Sequence, residues 1–89
     1  MPSFPGYLKT LRIQLVGKQA VLSSEIGCTV AAVSYWEGGR RLPGKAMFDR
    51  IVSVLRSHGG DGAEISELIR YWEGEVSRRL VAERAFPEG

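Results

Sequence analysis

Residues 19–43, QAVLSSEIGCTVAAVSYWEGGRRLP, constrain the fold more than any other stretch of the chain. They read as two short helices joined by a tight turn and followed by a basic loop. Gln19 opens the first helix, and Ser23 lies one turn in, where only a small side chain lets two helices cross closely. Gly27 makes the turn, because that position needs a positive φ that glycine adopts without steric cost. Thr29 is placed to cap the second helix by accepting from its first free N–H groups. Val33, one turn further on, anchors that helix to the core. Each signal is common by itself. All of them in one register, with Trp36, Glu37 and a Gly-Gly-Arg-Arg-Leu-Pro loop behind, are not.

The rest of the chain reads as helical too, with five helices and no strand. The first spans Tyr7 to Val16, with Leu8, Leu11 and Leu15 on one face, and Gly17 ends it. The second runs from Lys18 to Ile26 with Leu22 and Ile26 inward, and the third from Val30 to Trp36 with Val33 and Trp36 inward. The fourth covers Lys45 to Ser57, where Met47, Ile51, Val54 and Leu55 form an amphipathic stripe. Residues 58–62, HGGDG, break the chain, and Asp61 can cap the helix after them. That fifth helix runs from Ala63 to Ala85 and is interrupted only by Gly74. Its residues Ile65, Ile69, Trp72 and Val76 step 4-3-4, the spacing of a coiled-coil seam. The same spacing serves a helix laid over the domain's own core, so two readings stand: a dimer seam or intramolecular packing.

The expected organisation is one domain at residues 1–58 that holds the two-helix motif, a Gly-rich linker at 59–62 and a C-terminal helix at 63–89 as the candidate dimerisation element. The formal net charge of +2 hides an asymmetry between these parts. Residues 1–58 carry eight Lys and Arg against three acidic residues, a balance of +5. Residues 59–89 carry four Arg against seven acidic residues, a balance of −3. A basic body with an acidic tail points to a polyanion met by the first part alone. Cys28 is the one cysteine, so no internal disulfide forms, and a lone thiol fits a reducing cytoplasm. No apolar run approaches the ~18 residues a membrane span needs. The N-terminus lacks a secretory pattern, and a cytoplasmic location is expected. No carboxylate pair, phosphate loop, nucleophile–base motif or metal-ligand spacing stands out, so no enzyme, cofactor or metal is expected.

Two helices crossing at a small residue, a glycine turn and a capped second helix are the layout of a helix-turn-helix, whose second helix enters the major groove of double-stranded DNA. On that reading Thr29, Val30, Ala31, Ser34 and Tyr35 face the bases. None of them makes a bidentate bond to guanine or adenine. Val30 and Ala31 fit thymine methyl groups, so modest direct readout and more reliance on DNA shape are expected. Gln19, at a helix N-terminus, is placed to bind a phosphate. Arg40, Arg41 and Lys45 flank the loop and suit further phosphate contacts, and Lys18 adds to that set. His58 reads as a favourable charge at the end of the fourth helix.

The stretch LRIQLVGKQAVLSSEIGCTVAAVSYWEGGRRLP resembles the helix-turn-helix repressors of the lambda repressor/Cro type, also called the Xre family. The resemblance covers residues 7–57. It rests on Arg12, Gln19, Leu22-Ser23, Gly27, Thr29, Val33-Ser34, Trp36-Glu37, Gly39 and Pro43. Lys18 departs from it, standing where a capping Ser, Thr or Asn is usual, and Ser23 replaces the common alanine. The resemblance implies an all-α, compact lambda-repressor-like bundle of four helices plus a long C-terminal helix. It implies that Arg12 and Glu37 pair across the core, with Arg12 also turned toward a phosphate. The function it implies is a sequence-specific transcription regulator, a homodimeric repressor on an inverted repeat; the spacing of Ile65, Ile69, Trp72 and Val76, outside the resembling stretch, offers the dimer contact. The alternative is a protein-interaction module on the same fold, an adaptor or an antitoxin with a toxin or other partner protein.

Overall fold

The structure, a computed structural model, describes residues 3–84. It is an all-α bundle of five helices, with no strand among the described residues. α1 (Phe4–Leu11) runs into a π-helical stretch, Arg12–Val16; α2 (Gln19–Ile26), α3 (Val30–Glu37), α4 (Lys45–Ser57) and α5 (Gly62–Arg84) come after it. The expected last residue of α5, Ala85, lies outside the described residues, as do residues 1–2 and 86–89 of the expected segments.

α1 starts earlier than its apolar spacing predicts. Pro5 sits in its first turn, where a missing N–H costs nothing, and Phe4 before it is buried. The helix then widens. The Gly17 N–H donates to the Arg12 carbonyl at 2.8 Å, five residues back, and the chain leaves at Gly17. α5 opens with a reciprocal cap: the Glu64 N–H donates to Asp61 at 2.7 Å, and the Asp61 N–H donates back to the Glu64 carboxylate at 3.3 Å.

A single core joins all five helices. Leu8, Leu11, Leu22, Val33, Ile51, Leu55, Ile65 and Leu68 are fully buried in it. Truncating any one of these leucines to alanine costs about 2–5 kcal/mol. Phe48, outside the stripe expected for α4, takes a central place, while Met47 and Val54 are only partly buried. The Phe48 ring stacks on Trp72 of α5 at 4.5 Å and 3°, and Phe4 meets Phe48 edge-on at 5.9 Å. The Trp72 indole N–H donates to the Pro43 carbonyl at 2.9 Å.

This arrangement corrects the seam expected on α5. Ile65 and Trp72 are buried against the chain's own α1 and α4, and Ile69 and Val76 are partly buried there. In the folded chain these four do not form a free stripe for a second helix. The change of charge at residues 59–62 does not divide the core either, since α5 supplies Ile65, Leu68 and Trp72 to it. Beyond Val76, Leu80 is half exposed and Val81 exposed.

Candidate nucleic-acid interface

The turn between α2 and α3 is built as its residue types require. Gly27 has φ +87° and ψ +38°, the left-handed conformation. The N–H groups of Gly27 and Cys28 both donate to the Ser23 carbonyl, at 2.9 and 3.0 Å, which closes the end of α2. Ser23 is buried at the crossing, and its hydroxyl donates to the Ala20 carbonyl at 3.0 Å. Thr29 caps α3, its hydroxyl accepting from the Ala32 N–H at 3.1 Å. Val33 and Trp36 fix the inner side of α3 in the core.

The outer side of α3 is open. Thr29, Val30, Ala31 and Ser34 are exposed, and Tyr35 is half-buried. α3 packs against α1 and α2, while α5 lies on α1 and α4. All five expected base-facing residues therefore share one accessible arc at the start and outer side of α3. Lys18, just before α2, and Arg40 and Arg41, just after α3, are exposed as well. Arg41 lies over the Tyr35 ring, 5.1 Å from its centroid.

Two of the expected phosphate ligands are engaged inside the fold. Arg12 is buried: its Nε and Nη2 donate to the two Glu37 oxygens at 2.7 Å each, and its Nη1 donates to the Gly17 carbonyl at 2.6 Å. The hydrogen bonds to Glu37 push the guanidinium further above its ordinary range, against the opposing effect of burial. Gln19 donates its amide to Glu37 Oε1 at 3.0 Å. Glu37, the last residue of α3, thus gathers Arg12 from the π stretch and Gln19 from the start of α2. This three-residue lock orients the helix pair: it holds the buried Arg12 in the fold, and it ties one amide of the half-buried Gln19 to Glu37. Spacing along the chain carries no sign of the Gln19 contact, which closes only in three dimensions. Lys45 stays exposed but pairs with Asp49 one turn along α4, at 2.8 Å, which offsets its charge.

Three further contacts brace the motif. Arg50 of α4 donates to the Ile26 carbonyl at 3.4 Å, at the end of α2. His58 caps α4 and places Nε2 2.9 Å from each Glu25 oxygen, so it ties α4 to α2 rather than serving the α4 terminus alone. Cys28 is half-buried in the turn, and burial raises its thiol above the ordinary range. Among the described residues no cluster of His, Cys, Asp and Glu could hold a metal ion. Nor is any helix among them long and apolar enough to cross a membrane.

No family model, curated protein or solved structure matches the chain.

Proposed function

We propose that this protein is a sequence-specific DNA-binding regulator of transcription, a homodimeric repressor of the lambda repressor/Cro type that works in the cytoplasm without a cofactor and is not an enzyme. The observation that carries this is the open outer arc of α3, with Thr29, Val30, Ala31, Ser34 and Tyr35 exposed or half exposed, flanked by Lys18, Arg40 and Arg41. α3 enters the major groove, Lys18 and Arg40 meet the backbone, and Arg41 lies beside the groove-facing arc. Two copies set their α3 helices about 34 Å apart on an inverted repeat. They pair through the part of α5 that the core leaves uncovered, where Leu80 and Val81 are exposed and Arg78 and Arg79 are already paired with Glu75 of their own helix.

Fluorescence polarisation with labelled genomic duplexes, at ~50 and ~200 mM salt, tests the proposal. Each neutralised phosphate contributes a slope of about −0.9 in log affinity against log salt, so four to six contacts lose about 10²- to 10³-fold over that range. Affinity that does not move with salt would end the DNA reading.

One feature favours a second reading, an interaction module of the adaptor or antitoxin kind. An apolar groove lined by Leu42, Pro43, Trp72, Val76 and Leu80 lies along the uncovered end of α5. On that reading a toxin or other partner protein fills it in place of a second copy. Sedimentation of the purified chain separates the two: a monomer that binds no DNA supports the second reading against the first.

A further inference from the structure

We infer that guanine in the target is read by Arg41, from the loop behind α3, and that Tyr35 serves as the platform that aims it rather than as a base reader. This rests on the DNA-binding reading above and deepens it.

The outer arc of α3 offers two hydroxyls, two small apolar side chains and one phenol. None presents a rigid pair of donors, and a bidentate pair of donors is what distinguishes guanine O6 and N7 from other base edges. The nearest fork is brought there by the backbone. Gly38 caps the end of α3, and Gly39 turns the chain with φ +78°. The N–H groups of Arg40 and Arg41 then both donate to the Tyr35 carbonyl, at 3.0 and 3.4 Å. The turn requires its glycines. A Cβ on Gly38 would stand 3.2 Å from the Ser34 carbonyl, and one on Gly39 would combine a strained φ with a contact to Pro5. Its result is the Arg41 guanidinium over the Tyr35 ring, 5.1 Å from the centroid.

The cation–π contact changes what the guanidinium can do. It keeps all five N–H groups free along its edge, because a ring face attracts the cation without taking its donors. It also gives up less conformational freedom on binding than a mobile arginine does. Tyr35 lies on the same flank of α3 as Ala31, one turn along, so the fork is held beside the exposed arc and not behind it. A phosphate also accepts a guanidinium fork, but a lysine binds it as a point charge, whereas the O6 and N7 edge of guanine is what a lysine reads poorly; replacing Arg41 by lysine therefore separates the two targets.

The test is enrichment of bound duplexes from a randomised pool, with salt slopes, for the full chain and four variants: Arg41→Lys, Arg41→Ala, Tyr35→Phe and Tyr35→Leu. The unaltered protein should enrich guanine at one position in each half-site. Arg41→Lys should lose about tenfold or more of that guanine preference while its salt slope, which counts charge, is kept. Tyr35→Phe should hold the preference, since the ring face remains, and Tyr35→Leu should relax it at the same position. If Arg41→Lys retains the guanine preference, or if the unaltered protein binds DNA with no enriched guanine, the inference is overturned while the DNA reading stands. The same holds if Arg41→Ala weakens all duplexes alike and lowers the slope by about one. If the unaltered chain binds no duplex at all, both fall together.

Discussion

Glu37 holds more of the motif together than any residue that faces outward. It is the shared acceptor for a buried arginine and for Gln19, and it is the last residue of α3. Removing its charge leaves the Arg12 guanidinium buried without a counter-ion. Glu37→Gln should therefore cost about 3–5 kcal/mol in thermal or urea unfolding. Replacing Arg12 and Glu37 together by methionine should recover most of that loss, because no charge is then left unpaired. A double variant as unstable as the single one would show that the lock works by shape and not by charge. Cys28 makes a second prediction at this scale. Burial raises its pKa, so the thiolate is disfavoured in the folded chain and the thiolate fraction near pH 8 falls below that of a free thiol. Alkylation by iodoacetamide should be slower than for glutathione, with its pH midpoint displaced upward, and should reach the free-thiol rate in urea. Stability tied to this group is whole below the ordinary thiol range and declines as pH rises through it. The residues of the turn were legible in sequence because Gly27, Thr29 and Val33 signal locally. The contact of Gln19 with Glu37 was not: a helix N-terminus looks the same whether its side chain meets solvent or a buried carboxylate.

At the scale of elements, α5 is two pieces in one helix. Up to Trp72 it is part of the core; from Glu73 onward its faces are increasingly open. The 4-3-4 spacing could not tell these apart, since a helix seated on its own domain and a helix seated on a partner bury residues with the same period. What decides is Phe48, which offers Trp72 a flat partner inside the chain. Ending the protein after Ser57 should abolish cooperative melting, because Ile65, Leu68 and Trp72 leave the core with α5. Ending it after Gly74 should preserve the fold and shift sedimentation to the monomer. Gly74 itself lies within α5 with no heavy atom within 4 Å of where its Cβ would stand. Gly74→Ala should thus stabilise by about 0.5–1 kcal/mol, through reduced freedom of the unfolded chain. That is a rise of several degrees in melting temperature for a domain of this size. A fall would mean that the helix bends there.

Across the whole molecule, the described residues extend 47 × 27 × 23 Å, with one core reaching from α1 to the middle of α5. The all-α class and all five helices could be read from periodicity and from glycine and proline breaks, to within a few residues at the ends. The packing order could not, because Phe4 meets Phe48 and Phe48 meets Trp72 across most of the chain's length, and nothing local to any of them announces it. One bond from that cluster has a mechanical consequence. The indole N–H of Trp72 is the fastening between the tail helix and the Gly38–Gly44 loop, through the carbonyl of buried Pro43. Trp72→Phe keeps an aromatic ring on Phe48 but unhooks that carbonyl, at a cost of about 1–3 kcal/mol. The loop should then become a cutting site: trypsin should nick the chain after Arg40 or Arg41 faster than global unfolding accounts for, while the rest stays resistant. An indole hydrogen on the tail helix thus joins the Tyr35 carbonyl in setting how long that loop survives in the presence of a protease.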